Sequence, residues 1–262
     1  EITGPGADEK LLKLLIQAGT EIKGSFLDNN RTVLSWLVRH GTTEQIKQRI
    51  TSNPEEINVA DAAGNTPLIW AIKQNSNNIC KELIDRKADT NVKDIKGDTP
   101  LHHAVTINSI TLVTLLIENG AILNIENNAH KTPQDLTITH FKSPVKSLFE
   151  KFSKLNDQME FPQKKDLIEI DQTLVEYPCL LSARINQHQD TFLHKVCSSA
   201  EPKAKKIISL LLTRGSPVNV QNIEGETPLH NVLKAFPPPE SIIALLLENA
   251  ADSSIKDKTG KT

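Results

Sequence analysis

The chain has 262 residues, 38% of them hydrophobic and 24% charged, which suits a soluble folded protein of one large or two ordinary domains. A net charge of −2 gives no whole-molecule field for nucleic acid or an anionic membrane. No apolar run approaches the roughly 20 residues of a membrane span, and three cysteines (Cys80, Cys179, Cys197) form no disulfide framework, so they read as reduced thiols.

In chain order, Glu9–Gly24 is the first predicted element. It has the apolar period of a helix and the character of the second member of a helix pair. Thr32 then opens RTVLSWLV. Related segments recur as GNTPLIWAI (Gly64–Ile72), GDTPLHHAV (Gly97–Val105), HKTPQDL (His130–Leu136), QDTFLHKV (Gln189–Val196) and GETPLHNVL (Gly225–Leu233). The threonines lie 34, 33, 33, 59, 36 and 35 residues apart, the last interval ending at Thr262.

Each recurrence follows one plan. A glycine (Gly64, Gly97, Gly225) supplies a turn at positive φ, a role left at equivalent positions to Asn30, His130 and Gln189. Thr suits a helix start and Pro its first turn. Leu68, Leu101, Leu193 and Leu229 point inward, and small Ala71 and Ala104 allow close helix approach. A second apolar helix follows at Ile79–Ile84, Leu112–Ile117, Ile207–Leu212 and Ile242–Leu247. Gly120 and Gly215 can end such helices before an extended finger. Pro237–Pro239 cannot continue a helix and accommodates the extra residues of its repeat.

The 59-residue interval is irregular. TPQDLTITHF reads as a first helix and SPVKSLFEKFSKL as a second. Asp166–Tyr177 reads as a second helix whose first is missing or degenerate. A continuous but distorted stack is the favoured reading; the alternative is a break near Asn156–Lys165. The expected division is residues 1–140, an irregular stretch 141–190, and residues 191–262. The partial first unit and the unit begun at DKTGKT suggest a piece of a longer chain.

These segments resemble the ankyrin repeat, which pairs a β-turn finger with two antiparallel helices in about 33 residues and carries a Thr-Pro-Leu-His motif. The resemblance is strong over Asp61–Gln134 and Asp190–Thr262 and moderate over Leu27–Ala60. It implies an all-α solenoid of paired antiparallel helices with β-turn fingers, about seven units, some degenerate. It also implies that His102, His194 and His230 buttress the fingers. In family members, asparagines such as Asn58, Asn91, Asn124 and Asn219 can be hydroxylated; their ordinary role is to satisfy a turn.

Catalytic readings are weak. A zinc site from His102 and His103 lacks cysteine or carboxylate partners at ligand spacing. Cys197 and His194 are three apart on one helix, but Cys197 fills a slot that is apolar elsewhere. Gly260–Thr262 reads as the repeat turn rather than the end of a phosphate loop. Lys203–Lys206 is a solvated helix face.

No catalytic residue, metal or cofactor is therefore expected. The expected function is a non-enzymatic scaffold that binds a partner protein on a concave surface of fingers and first helices, with no nucleic acid, membrane insertion or small-molecule substrate. Candidate contacts are Trp36, Ala62, Ala63, Asn65, Trp70, Lys73 and Gln74, then Ile95, Lys96, Asp98, His103, Thr106 and Ile107. Ile223, Glu224, Glu226 and Lys234 follow in the later repeats. Trp36 and Trp70 lie in register, which is read as ordinary packing between repeats or, alternatively, as an adhesive stripe. The expected compartment is intracellular and reducing. The partial end units suggest an alternative, the targeting module of a larger enzyme whose catalytic domain lies outside this chain, and the bias of 24 lysines to 6 arginines suggests a bacterial effector secreted into a host cell.

Overall fold

The computed structural model describes residues 32–139, 143–160, 166–199 and 204–262. Glu9–Gly24, Asn30 and Lys203 lie outside them. Within the described residues every recurrent threonine that precedes a helix has extended backbone, as an N-cap requires. Thr32 Oγ1 accepts from the Ser35 amide at 3.1 Å and starts α1 (Val33–His40). Thr66 starts α3 (Pro67–Lys73) after α2 (Thr43–Ser52), and α4 (Asn77–Asp85) follows. Thr99 starts α5 (Pro100–Thr106), and α6 (Ile110–Glu118) pairs with it in sequence. Prolines 67, 100 and 228 occupy the first helical position, where the missing N–H costs nothing.

The chain divides into two compact units, and the division falls inside α6. In the first unit, Glu1–Leu112 with Glu126–His130, α1, α3 and α5 pack side by side as one layer. Helices α2 and α4 pack behind α1 and α3 as a second layer. Leu34, Ile46, Leu68, Ile72, Leu83 and Leu101 are fully buried between the layers, with Ala71 and Ala104 admitting close packing. At one joint, Glu56 is buried and bonds both the Arg49 guanidinium and the Leu34 amide. A buried carboxylate with a cation and an amide as partners is satisfied on both oxygens.

The second unit, Val113–Ile125 with Lys131–Thr262, departs from the regular plan before returning to it. Here α9 (Phe192–Cys197) pairs with α10 (Ala204–Thr213), and α11 (Pro228–Leu233) with α12 (Glu240–Glu248). The first helix expected at TPQDLTITHF is only a 3-10 turn over Gln134–Thr139. Asp135 caps its own start, accepting from the Thr132 amide at 2.8 Å, and the turn stops after two windings.

The second helix, α7, runs Pro144–Glu160, longer than expected. Its continuity places Asn156–Glu160 in a helix; the rest of the expected break point, residues 161–165, lies outside the described residues. It packs on the 3-10 turn, on α8 (Asp166–Glu176) and on α9. The apparently missing first helix before α8 is thus supplied by the far end of α7. Phe152 of α7 meets Phe192 of α9 at 5.9 Å between ring centroids, and Lys195 Nζ bonds the Asn156 carbonyl at 3.0 Å. Across the irregular stretch, the Leu123 amide donates to the Arg184 carbonyl at 3.0 Å, beside a parallel bridge at Ile122.

Candidate protein-interaction surface

The fingers of the first unit are built by one device. Asp61 Oδ1 accepts from the amides of Ala63 and Asn65, both at 2.9 Å, and closes the turn. Asp94 Oδ1 does the same for Lys96 (2.8 Å) and Asp98 (3.0 Å). Gly64 completes its turn at φ +77°, and a Cβ there would lie 2.6 Å from the Cα of Asp94. Successive fingers are stitched together: the Ile95 amide donates to Ala63 O at 3.2 Å, and the Asn128 amide to Lys96 O at 2.9 Å. Ala62, Ala63, Ile95 and Lys96 are left exposed at the tips, Ile95 by 65%.

Beneath the tips lie the first helices. Trp70 is half-buried, and its Nε1 donates to Asp61 Oδ2 at 3.0 Å. The Arg39 guanidinium stands 4.4 Å from the ring centroid and the Lys73 ammonium 5.4 Å. Lys73 Nζ also bonds Asn65 Oδ1. Burial pulls the Lys73 pKa below the ordinary lysine value, against the attraction of Asp94, Asp61 and Asp98. One repeat on, His103 Nε2 lies 3.0 Å from Asp94 Oδ2. Burial, then Lys73, hold the His103 ring below the usual histidine pKa, so it is neutral at pH 7. Gln74, Thr106 and Ile107 are exposed at the helix ends, and Asp98 is half-buried, accepting from Asn127 Nδ2 at 2.7 Å.

Two of the expected contact residues do not face solvent. Trp36 is 5% exposed, its ring against His40 at 5.1 Å, so the expected stripe of two tryptophans reduces to Trp70. Asn65 is 4% exposed because its side chain turns inward to Asp61. The zinc reading also needs correction. Carboxylates do reach His103, because the finger folds Asp94 and Asp98 back over α5.

In the second unit, Asn222 caps the equivalent turn, accepting from Glu224 (2.9 Å) and Glu226 (3.0 Å) amides. Ile223 and Glu224 are exposed at its tip, and Lys234 pairs with Glu226 at 2.6 Å. Arg184 NH1 holds the Gln189 and Gln221 carbonyls at 2.6 and 3.0 Å, tying two fingers.

The recurrent histidines are consumed by the frame. The Thr191 amide donates to His194 Nδ1 at 3.2 Å, which leaves Nε2–H to reach the Glu226 carbonyl of the next finger at 3.0 Å. His230 repeats this with Thr227 and Lys261 O. In all three repeats the histidine takes the place of the glutamate in a capping box; His102 Nδ1 accepts from Thr99. Cys197 is 2% exposed, and burial pushes its thiol up to about 12, so it is no nucleophile beside His194. Gly260–Thr262 forms a finger turn capped by Asp257. Asn58 and Asn219 are staples between repeats, accepting from the Asp89 and Asp252 amides at 2.8 Å. The finger caps also have a sequence signal of their own. Their signature is an Asp or Asn five residues before Thr, at Asp61, Asp94, Asn127, Asn186, Asn222 and Asp257.

Paired helices, capped fingers and, at His194 and His230, a histidine strut to the next finger define a repeat protein. A family model described as Ankyrin repeats (3 copies) matches residues 6–94, 34–129 and 77–158, which together span more than half of the chain. The chain belongs to the ankyrin-repeat family, whose repeats are protein–protein interaction modules. Beyond the matched residues, the repeats opened by Thr191 and Thr227 carry the same caps and struts. Among the described residues no helix is long and apolar enough to cross a membrane.

Proposed function

We propose that this chain is a non-catalytic scaffold that captures a partner protein on the fingers and first helices of its first unit. The observation that carries this reading is the contrast within that face. The backbone is fixed by caps and finger-to-finger bonds, while Ala62, Ala63, Lys73, Gln74, Ile95, Lys96, Thr106 and Ile107 are exposed on it. A preformed surface binds with little ordering cost. Trp70, held by Asp61 and flanked by Arg39, is the aromatic anchor. In the second unit Ile223, Glu224, Glu226 and Lys234 form the corresponding contact set. Three unpaired buried thiols support a reducing, intracellular compartment.

The test is capture by the wild-type chain against Ile95→Asp/Lys96→Glu, with melting measured on both. Loss of capture at unchanged melting temperature supports the surface. Capture that survives this variant but fails on Lys81→Glu, on the second-helix layer, contradicts it.

A further inference from the structure

The three positions that surround each finger cap recur through the chain with changing chemistry. Five before, one before and four after the threonine, they read Asp61/Asn65/Trp70, Asp94/Asp98/His103, Asn127/Lys131/Leu136, Asn186/Asp190/Lys195 and Asn222/Glu226/Asn231. Of these five sets, the second alone consists wholly of metal-ligating side chains. There, one carboxylate oxygen of Asp94, one of Asp98 and one ring nitrogen of His103 all lie within 4.8 Å of one another.

We propose that Asp94, Asp98 and His103 chelate a divalent transition-metal cation on the finger/first-helix face. Two carboxylates and one imidazole suit a borderline cation such as Zn2+ and leave coordination positions open to solvent or a partner. Bonds of about 2.0–2.2 Å set ligand atoms roughly 3–3.5 Å apart; Asp94 Oδ2 and His103 Nε2 already stand at 3.0 Å, and the Asp98 carboxylate closes the remaining gap on binding.

The surroundings orient the ligands. Asp94 spends Oδ1 on the amides of Lys96 and Asp98, which leaves Oδ2 turned toward His103. Asn127 Nδ2 holds Asp98 at 2.7 Å, the outer-shell contact that fixes a ligating carboxylate. On binding, the proton shared between Nε2 and Asp94 moves to Nδ1, and Nε2 takes the cation. The opposing group is Lys73, whose ammonium is drawn to Asp94 and Asp98 but is tethered to Asn65. The equivalent residue in this repeat is the uncharged Thr106.

The full chain, stripped with a chelator and desalted, is titrated with ZnCl2 by calorimetry and with CoCl2 by visible absorption. One equivalent is expected to bind. Asp98→Asn with His103→Trp installs the side chains of the preceding repeat, so the fold is retained; circular dichroism melting verifies this. That variant is expected to bind at least about tenfold more weakly. Lys73→Met is expected to bind more tightly. An equivalent bound with unchanged affinity by the double variant, or no binding up to about millimolar cation, would overturn the assignment.

Discussion

The two repeats opened by Thr66 and Thr99 and the stretch from Thr132 to Asp190 solve the same problem differently. In the former, every boundary is local. A capping aspartate, a glycine at positive φ, a threonine and a proline end one element and start the next within seven residues. In the latter these local marks thin out. His130 and Gln189 hold the positive-φ positions at +54° and +60°, the first helix is reduced to a 3-10 turn, and α7 extends to serve two neighbours. A repeat can therefore lose a helix if an adjacent one is long enough to bury the exposed flank. Within the second unit, burial holds the helices together even where the motif is absent.

The sharpest way to break this comparison is to remove the packing that replaces the motif. Phe192 is fully buried against Phe152, so Phe192→Ala is expected to cost about 3–5 kcal/mol, read by urea denaturation. A loss below about 1 kcal/mol would mean that α7 does not substitute for a helix there.

Next come the turns. At Gly97, φ is +77° and a Cβ would meet the Asn128 amide at 2.7 Å, so Gly97→Ala is expected to destabilise by about 1–3 kcal/mol. Gln189→Gly relieves the same conformation and is expected to stabilise by up to about 1 kcal/mol. The opposite order in melting temperature would refute the assignment of these turns.

The histidine strut is smaller in effect and depends on pH. Burial sets the His194 pKa below its ordinary value of 6.5, outweighing the Glu226 carbonyl and Asp190. A lowered folded pKa means that the folded state favours the neutral ring. The strut's stability is then fully present above pH 6.5 and is lost as pH falls through the folded value. His194→Gln, which cannot be protonated, is expected to flatten that part of the stability profile between pH 7 and 5. Melting curves across this range check it, and an unaltered slope would show that the ring is not responsible. The smallest effect is expected from Arg214→Ala. Its bond to Asp171 is exposed, so a slight loss that vanishes in high salt is expected.

Much of the fold was legible because its causes are local. Thr, Pro and Gly at fixed offsets mark helix starts and turns, and the buried Leu68, Leu101, Leu193 and Leu229 follow directly from position within the repeat. What escaped was non-local. The role of α7 depends on which neighbours its second half meets, and Pro144–Glu160 reads as an ordinary amphipathic helix in isolation. The Asp94–His103 pair is nine residues apart, outside any local ligand spacing, and only the finger's return over α5 brings it together. The burial of Trp36 and Asn65 likewise escaped, since a slot that is half-exposed at Trp70 is closed one repeat earlier. Repeat position is read from sequence more easily than repeat surface.

The central claim is that partner capture occurs on the finger/first-helix face of the first unit. A photo-reactive residue introduced separately at Ile95, Lys96 and Thr106, and at Lys81 and Asp85 on the second-helix layer, tests it most directly. Crosslinks to one partner from the first three positions and none from the last two are the predicted result. Crosslinks from Lys81 and Asp85 alone, or equally from both layers, would contradict it.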